Sequence, residues 1–185
     1  MADLYNLPPD LPAPQDDGAC AHLPGKEMPR LALDSTAGRS VDVAEASRRR
    51  AVFFFYPRSG RPGISVAAGW DQVPGARGCT PHSCAYRDHF AGFTALNVQV
   101  FGVSSQESDY QREFVERNRL PYEILSDRDF RLTDALRLPT FDFGGVRLIK
   151  RLAIVADRSR IVKVFYPVFP PDKNAETVLE WLRLP

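Results

Sequence analysis

Cysteine is scarce in this chain, with three residues in 185. So small and odd a number excludes the disulfide framework of a small secreted domain. No apolar run approaches the ~18 residues of a membrane helix. Charge of one sign is missing too, the net being +1 at pH 7. Without a long-range field to attract them, neither nucleic acid nor an anionic membrane is expected as a partner. The one basic run, Arg48-Arg49-Arg50, abuts an apolar segment and reads as a solvated strand entry. The opening MADLYNLPPDLPAPQDD has neither the basic start nor the apolar centre of a secretion signal, so cytoplasmic residence is expected. What remains, 44% hydrophobic and 25% charged residues, is the composition of one soluble globular domain.

Residues 1–28 carry Pro8, Pro9, Pro12, Pro14 and Pro24 with little periodicity, which predicts an extended arm laid on a domain spanning 29–185. Residues 31–33 and 40–43 flank Ala37-Gly38-Arg39 and read as a short hairpin. The unbroken apolar run of residues 51–56, ended by Pro57, predicts a central strand buried on both faces. Residues 57–78 form a long Gly/Pro-rich loop containing Trp70, and loops of that length are usually functional. A helix is expected over 80–96, with Pro81 in its first turn, where a missing N–H costs nothing. Strands at 97–104 and 122–125 alternate with helices at 107–118 and 130–138. A strand at 147–156 turns at 157–159 into an antiparallel partner at 161–166, and a helix over 172–182 closes the chain. Early βαβ alternation followed by a hairpin implies an α/β, thioredoxin-like fold: a mixed central sheet flanked by helices.

The chemistry concentrates in Gly78-Cys79-Thr80-Pro81-His82-Ser83-Cys84. A helix start favours a thiolate, through the dipole and the free backbone N–H groups. A second thiol five residues on is close enough to capture an oxidised first one, so thiol redox chemistry is the expected function. Cys79, His82 and Cys84, with Cys20 or His22, would make a poor metal site. Their spacing is not one zinc uses and no fourth ligand is specified, so neither metal nor cofactor is expected. The Cys-x-x-Cys of a thiol–disulfide oxidoreductase is absent, which ranks that activity second. Cys20 reads as a packed or surface bystander.

Four segments together resemble the peroxiredoxins, in their atypical two-cysteine class, the bacterioferritin-comigratory or peroxiredoxin Q type. Residues 52–57 are similar to that family's strand ending in Tyr-Pro. Gly78-Cys79-Thr80, with Cys84 and Arg87-Asp88 following, is similar to its cysteine signature. Leu120-Pro121-Tyr122-Glu123-Ile124-Leu125-Ser126-Asp127 and residues 150–157 resemble two further segments, the last bearing the active-site arginine. The resemblance covers about residues 29–184. It implies that Cys79 is the peroxidatic cysteine and is oxidised to a sulfenic acid by a hydroperoxide. It also implies that Cys84 resolves this as an intramolecular disulfide, and that Arg151 holds thiolate and peroxide. Pro57 stands at the family's proline. Thioredoxin or a similar dithiol is the implied reductant, and a monomer or weak homodimer the expected state.

The chain departs from the pattern in three places. Ala76 stands where the family has a hydroxyl three residues before the reactive sulfur, and Gln72 where it has proline. An insertion separates Pro62-Gly63 from Gly78-Cys79, leaving Ser59, Ser65 and Thr80 as candidate hydroxyls. His82 replaces an acidic residue. These departures keep open a peroxide-sensing module with little turnover. Geometry adds a further expectation. Residues five apart on a helix are displaced by about 7.5 Å along the axis and by about 140° around it. A disulfide needs Cα atoms within roughly 7 Å. Oxidation therefore has to unwind the first turn or two.

Overall fold

Ala51–Phe55 contains no polar side chain, and in the computed structural model, which describes residues 4–184, it forms a strand buried along its whole length. Numbered in chain order, it is the third of nine: β1 (Ala32–Ser35), β2 (Ser40–Asp42), β3 (Ala51–Phe55), β4 (Gln99–Ser104), β5 (Glu123–Ser126), β6 (Thr140–Phe143), β7 (Val146–Ile149), β8 (Leu152–Asp157) and β9 (Arg160–Phe165). Six α-helices accompany them among the described residues: α1 (Val43–Ala46), α2 (Cys79–Asp88), α3 (Phe90–Ala95), α4 (Ser108–Asn118), α5 (Arg131–Leu136) and α6 (Asn174–Arg183).

Seven strands make one sheet in the order β2-β1-β5-β4-β3-β8-β9. Pairings β3–β4 and β4–β5 are parallel and the other four antiparallel, which is the mixed sheet expected of a thioredoxin-like fold. The pleat of β3 divides the core in two. Phe53 and Phe55 pack with Leu23, Met28 and Leu132 on one face. Val52, Phe54 and Tyr56 pack with Cys79, Tyr86, Phe114 and Val178 on the other, under α2, α4 and α6. The reactive segment is thus mounted on the second face, at the end of β3. At the opposite end of β3, Arg48 and Arg49 are exposed and Arg50 pairs with Asp157 at 3.1 Å.

Three expectations need correction. The helix expected over 80–96 is two helices, because His89 interrupts it. Its ring Nδ1 lies 2.9 Å from the Ala85 carbonyl, which also accepts its backbone N–H, and a side chain that competes for the ladder ends it. The strand expected over 147–156 is also two. Lys150 gives its backbone N–H to Pro139 instead of to the main sheet, and Arg151 turns its side chain into the interior. The freed half, β7, pairs with β6 in a separate two-stranded sheet. Finally, the packed domain begins before residue 29. Cys20, Leu23 and Met28 are core residues and Glu27 bridges to Arg160, since three apolar side chains so close together bury more surface inside than on top.

The 57–78 loop is not loose. Trp70 and Ala76 are buried with Leu148, and Val66, Val73, Phe141 and Phe143 pack around them. The Trp70 ring meets Phe143 edge-on at 5.0 Å. Loop and β6–β7 hairpin therefore share a small core of their own.

Candidate functional site

The site is built outward from Gly78, the residue before α2. Its φ of +100° is open to glycine alone, and a Cβ there would sit 2.5 Å from Pro171 and 2.7 Å from Leu7. The tight approach lets the chain turn straight into the helix, whose first residue is Cys79. Rings anchor α2 to the sheet. Phe54 stacks on Tyr86 at 4.2 Å and meets His82 at 4.9 Å, and Tyr122 Oη donates to the Ser83 carbonyl at 2.6 Å.

Arg151, between β7 and β8, is only 3% exposed. Its Nη2 donates to Cys79 Sγ at 3.2 Å and to the carbonyls of Ala76 and Arg77, both at 3.1 Å. Its Nε donates to the Gly75 carbonyl at 3.3 Å, and its Nη1 to His82 Nδ1 at 2.9 Å. One guanidinium thus organises the approach to the helix and touches the sulfur. A buried arginine stays charged, and its fork suits several acceptors at once.

Behind it lies a polar chain. His82 Nε2 is 3.0 Å from Asn174 Oδ1, and Tyr86 Oη donates to the same oxygen at 2.7 Å. An arginine N–H only donates, so Nδ1 must accept and Nε2 carries the proton. Burial and then the Arg151 charge hold His82 well below the usual imidazole range, and it is neutral. Burial also lifts Tyr86 well above the usual phenol range.

Cys79 faces a cavity of about 460 Å³ lined by Leu4, Ser59, Val66, Trp70, Thr80 and Gln106 among others. The inserted loop supplies much of that wall, so its place in the structure is to line the site. Ser59, Ser65 and Thr80 all reach the cavity, but differently. Ser59 is locked, its N–H and Oγ bonded to Gln106 Oε1 at 2.7 and 3.1 Å and its carbonyl to Gln106 Nε2 and Tyr110 Oη, both at 3.2 Å. Ser65 is exposed at the rim, and Thr80 is buried beside Cys79. Ala76 offers only its carbonyl, 3.7 Å from Cys79 Sγ. Pro57 is buried and stands outside the cavity wall, directly before it in the chain.

Cys84 points elsewhere. It is half-buried, with Sγ 3.9 Å from Asn118 Oδ1. Burial pushes its thiol up, with Arg87 pulling the other way. Both sulfurs lie on one regular helix and are unpaired, as helical geometry requires of residues five apart. Cys20 is buried in the opposite core, its thiol pushed up to about 12 by burial, which makes it inert. Among the described residues no group of three or more His, Cys, Asp or Glu could hold a metal.

The structure therefore joins Cys79, Thr80 and Arg151 in one place, puts Cys84 a helix turn away and leaves Pro57 as a support. Asn174, Tyr86 and Gln106 were not singled out in the sequence. Single polar residues carry no spacing signal, and each gains meaning only from a contact some 50 to 90 positions away in the chain. Chemically, the arrangement holds a sulfur nucleophile against a permanent cation in a cavity wall. An oxygen gaining negative charge beside that sulfur lies in the field of the same guanidinium, which stands behind the cavity wall.

Residues 23–179 match the Redoxin family. The chloroplastic peroxiredoxin Q of Suaeda salsa is 28% identical over 160 residues, spanning 86% of this chain and 67% of that protein. Its namesake from Gentiana triflora is 27% identical over 186 residues, spanning 97% and 78%. The crystal structure of peroxidoxin BcpB from Mycobacterium tuberculosis shares the fold, with a TM-score of 0.71 at 23% identity over 88% of this chain and 97% of that one. A match over most of the length, on the fold and cysteine helix described above, places the chain in the Redoxin family, as a peroxiredoxin of the peroxiredoxin Q type.

Proposed function

We propose that Cys79 is the peroxidatic residue of this peroxiredoxin and that Cys84 resolves its oxidised form. The Cys79 thiolate attacks the terminal oxygen of a hydroperoxide. The O–O bond breaks, water or an alcohol leaves with a proton, and Cys79 becomes a sulfenic acid. The Cys84 thiolate then attacks that sulfur, an S–S bond forms and water departs. A dithiol protein such as thioredoxin returns both sulfurs to thiols by exchange. The observation that carries this reading is the 3.2 Å contact between Arg151 Nη2 and Cys79 Sγ at the first residue of α2, beside a cavity. Arg151 stabilises the attacking sulfur and the leaving oxygen together. Thr80, buried beside Cys79 in the same wall, is the hydroxyl best placed to orient the peroxide. Cytoplasmic residence is part of the same reading, because three cysteines are too few and odd in number for the disulfide framework of a secreted domain.

The test is peroxide-dependent NADPH consumption with thioredoxin and its reductase. Wild type consumes NADPH and Cys79→Ser consumes none. Cys84→Ser completes one turnover at an unchanged rate, then stalls and accumulates sulfinic acid on Cys79 under excess peroxide. Inactive Cys84→Ser with an unmodified Cys79 would reverse the two roles. A disulfide that forms and is not turned over by any dithiol reductant would favour the peroxide sensor. The alanine at position 76 is the feature that supports that second reading.

A further inference from the structure

Arg151 makes five hydrogen bonds, three of them from Nη2, and none goes to a carboxylate. Three peptide carbonyls, one sulfur and one imidazole nitrogen are its hydrogen-bond partners, and among the described residues it forms no ion pair. A buried guanidinium normally meets an anion. Among these partners the one able to become an anion is Cys79. His82 occupies the remaining position, wholly buried and fixed from behind by Asn174, whose oxygen also takes the Tyr86 hydroxyl. That shared oxygen keeps the proton on Nε2, so the nitrogen facing Arg151 always accepts.

We propose that His82 is a positioning residue that acts through Arg151. As a neutral acceptor it fixes the guanidinium and adds no negative charge, so the whole charge of Arg151 serves the Cys79 thiolate and the peroxide oxygens. A carboxylate at position 82 would hold the arginine equally well. It would also oppose ionisation of the sulfur, as one anion near another does. The other titratable groups bearing on the cluster are Tyr56 from β3 and Tyr86 from α2, both lifted by burial and neutral. Arg77, next to Cys79, is paired with Asp71 at 3.3 Å. Asp172 and Lys173, which lead into α6, are not hydrogen-bond partners of His82 or Arg151.

This inference rests on the peroxidase reading, and its test is separable because alkylation needs no peroxide. The rate of iodoacetamide modification of Cys79, followed by peptide mass, is measured against pH in wild type, H82Q and H82E. H82Q, neutral and able to accept, should stay within a few tenths of a pH unit of wild type. H82E should move the profile to higher pH by about one unit or more, and slow peroxide reduction about tenfold at pH values below both midpoints. An unshifted H82E profile, or an H82Q profile displaced as far as that of H82E, overturns the proposal. If H82E does not fold, imidazole nitrogen NMR of wild type decides instead. His82 should remain in the Nε2–H tautomer without titrating between pH 5 and 8, and a titration in that range would overturn the assignment. If Cys79 proves inactive toward peroxide while these profiles behave as stated, the peroxidase reading fails and the electrostatic role stands.

Discussion

Cys79 and Cys84 sit on one helix, five residues apart, in surroundings that have little in common. Cys79 is buried at the helix start, with Arg151 on one side and a cavity on the other. Cys84 lies in the second turn, half-buried, with the neutral Asn118 amide as its nearest polar partner. Arg87, on the same helix, favours its thiolate, but burial outweighs it. At the first position the free N–H groups of the helix start and a fixed guanidinium stand around the sulfur. At the second, burial prevails over the pull of Arg87 and favours the neutral form. Identical side chains are thereby given different chemistry by position alone. Keeping them apart also has a use: a sulfur that cannot reach its neighbour until the helix opens remains available to react first with the cavity's contents.

The change that should most nearly erase the contrast is Arg151→Met. It removes the guanidinium in contact with Cys79 and frees the three carbonyls at positions 75, 76 and 77 that the guanidinium holds. The second-order rate with peroxide should fall by about 10²–10³-fold, the scale for losing one preorganised donor at a developing anion. Arg151→Lys should fall between, since it keeps the charge and loses the fork. Stopped-flow measurement on the reduced protein checks both. A loss below threefold in the methionine variant would mean that the helix start suffices without the guanidinium.

A second prediction isolates the other sulfur. The Cys84 thiol is pushed up from its ordinary value, so at neutral pH it is mostly protonated and its thiolate fraction grows with pH. Capture of the oxidised Cys79 should then accelerate about tenfold per pH unit between pH 6 and 8. Disulfide formation after a peroxide pulse, quenched in acid and resolved by mass, gives this rate. A flat profile would show that helix opening alone limits capture and that the surroundings of Cys84 do not matter.

How much of this was legible in the sequence follows from how local each determinant is. The apolar run of β3, the proline-bearing start of α2 and the βαβ alternation carry their own signals, and the structure agrees on fold class and sheet type. The strand expected over 147–156 breaks because Arg151 leaves the sheet for tertiary reasons: its partners lie 69 to 76 positions away. The β6–β7 hairpin has a similar cause: Phe141, Phe143 and Leu148 bury against Trp70 and Ala76 of the inserted loop, while Ile149 joins the main core. Cys79, Cys84 and Arg151 were recognisable from the family resemblance. The replacement at His82 was visible too, but its meaning was not, because that depends on Asn174 and Tyr86 behind it.

The smallest expected effect concerns the helix between the two sulfurs. Tyr122 Oη donates to the Ser83 carbonyl at 2.6 Å, a buried bond that ties the middle of α2 to the segment before β5. Tyr122→Phe removes it while keeping the ring that meets Phe54 edge-on at 5.6 Å. A net hydrogen bond contributes about 1 kcal/mol, so local opening of α2 should become about fivefold more frequent. Since the two cysteines can join only when the helix opens, capture should quicken by up to that factor and the rate of peroxide attack should stay the same. The native state would lose stability by the same small amount, visible as a thermal midpoint lower by about 2–4 °C. Faster capture with an unchanged first step would place the barrier in the helix. If capture were unchanged in a variant whose midpoint had fallen, the opening that brings the sulfurs together would have to lie in the turn at Gly78 and Cys79, ahead of the point where Tyr122 holds on.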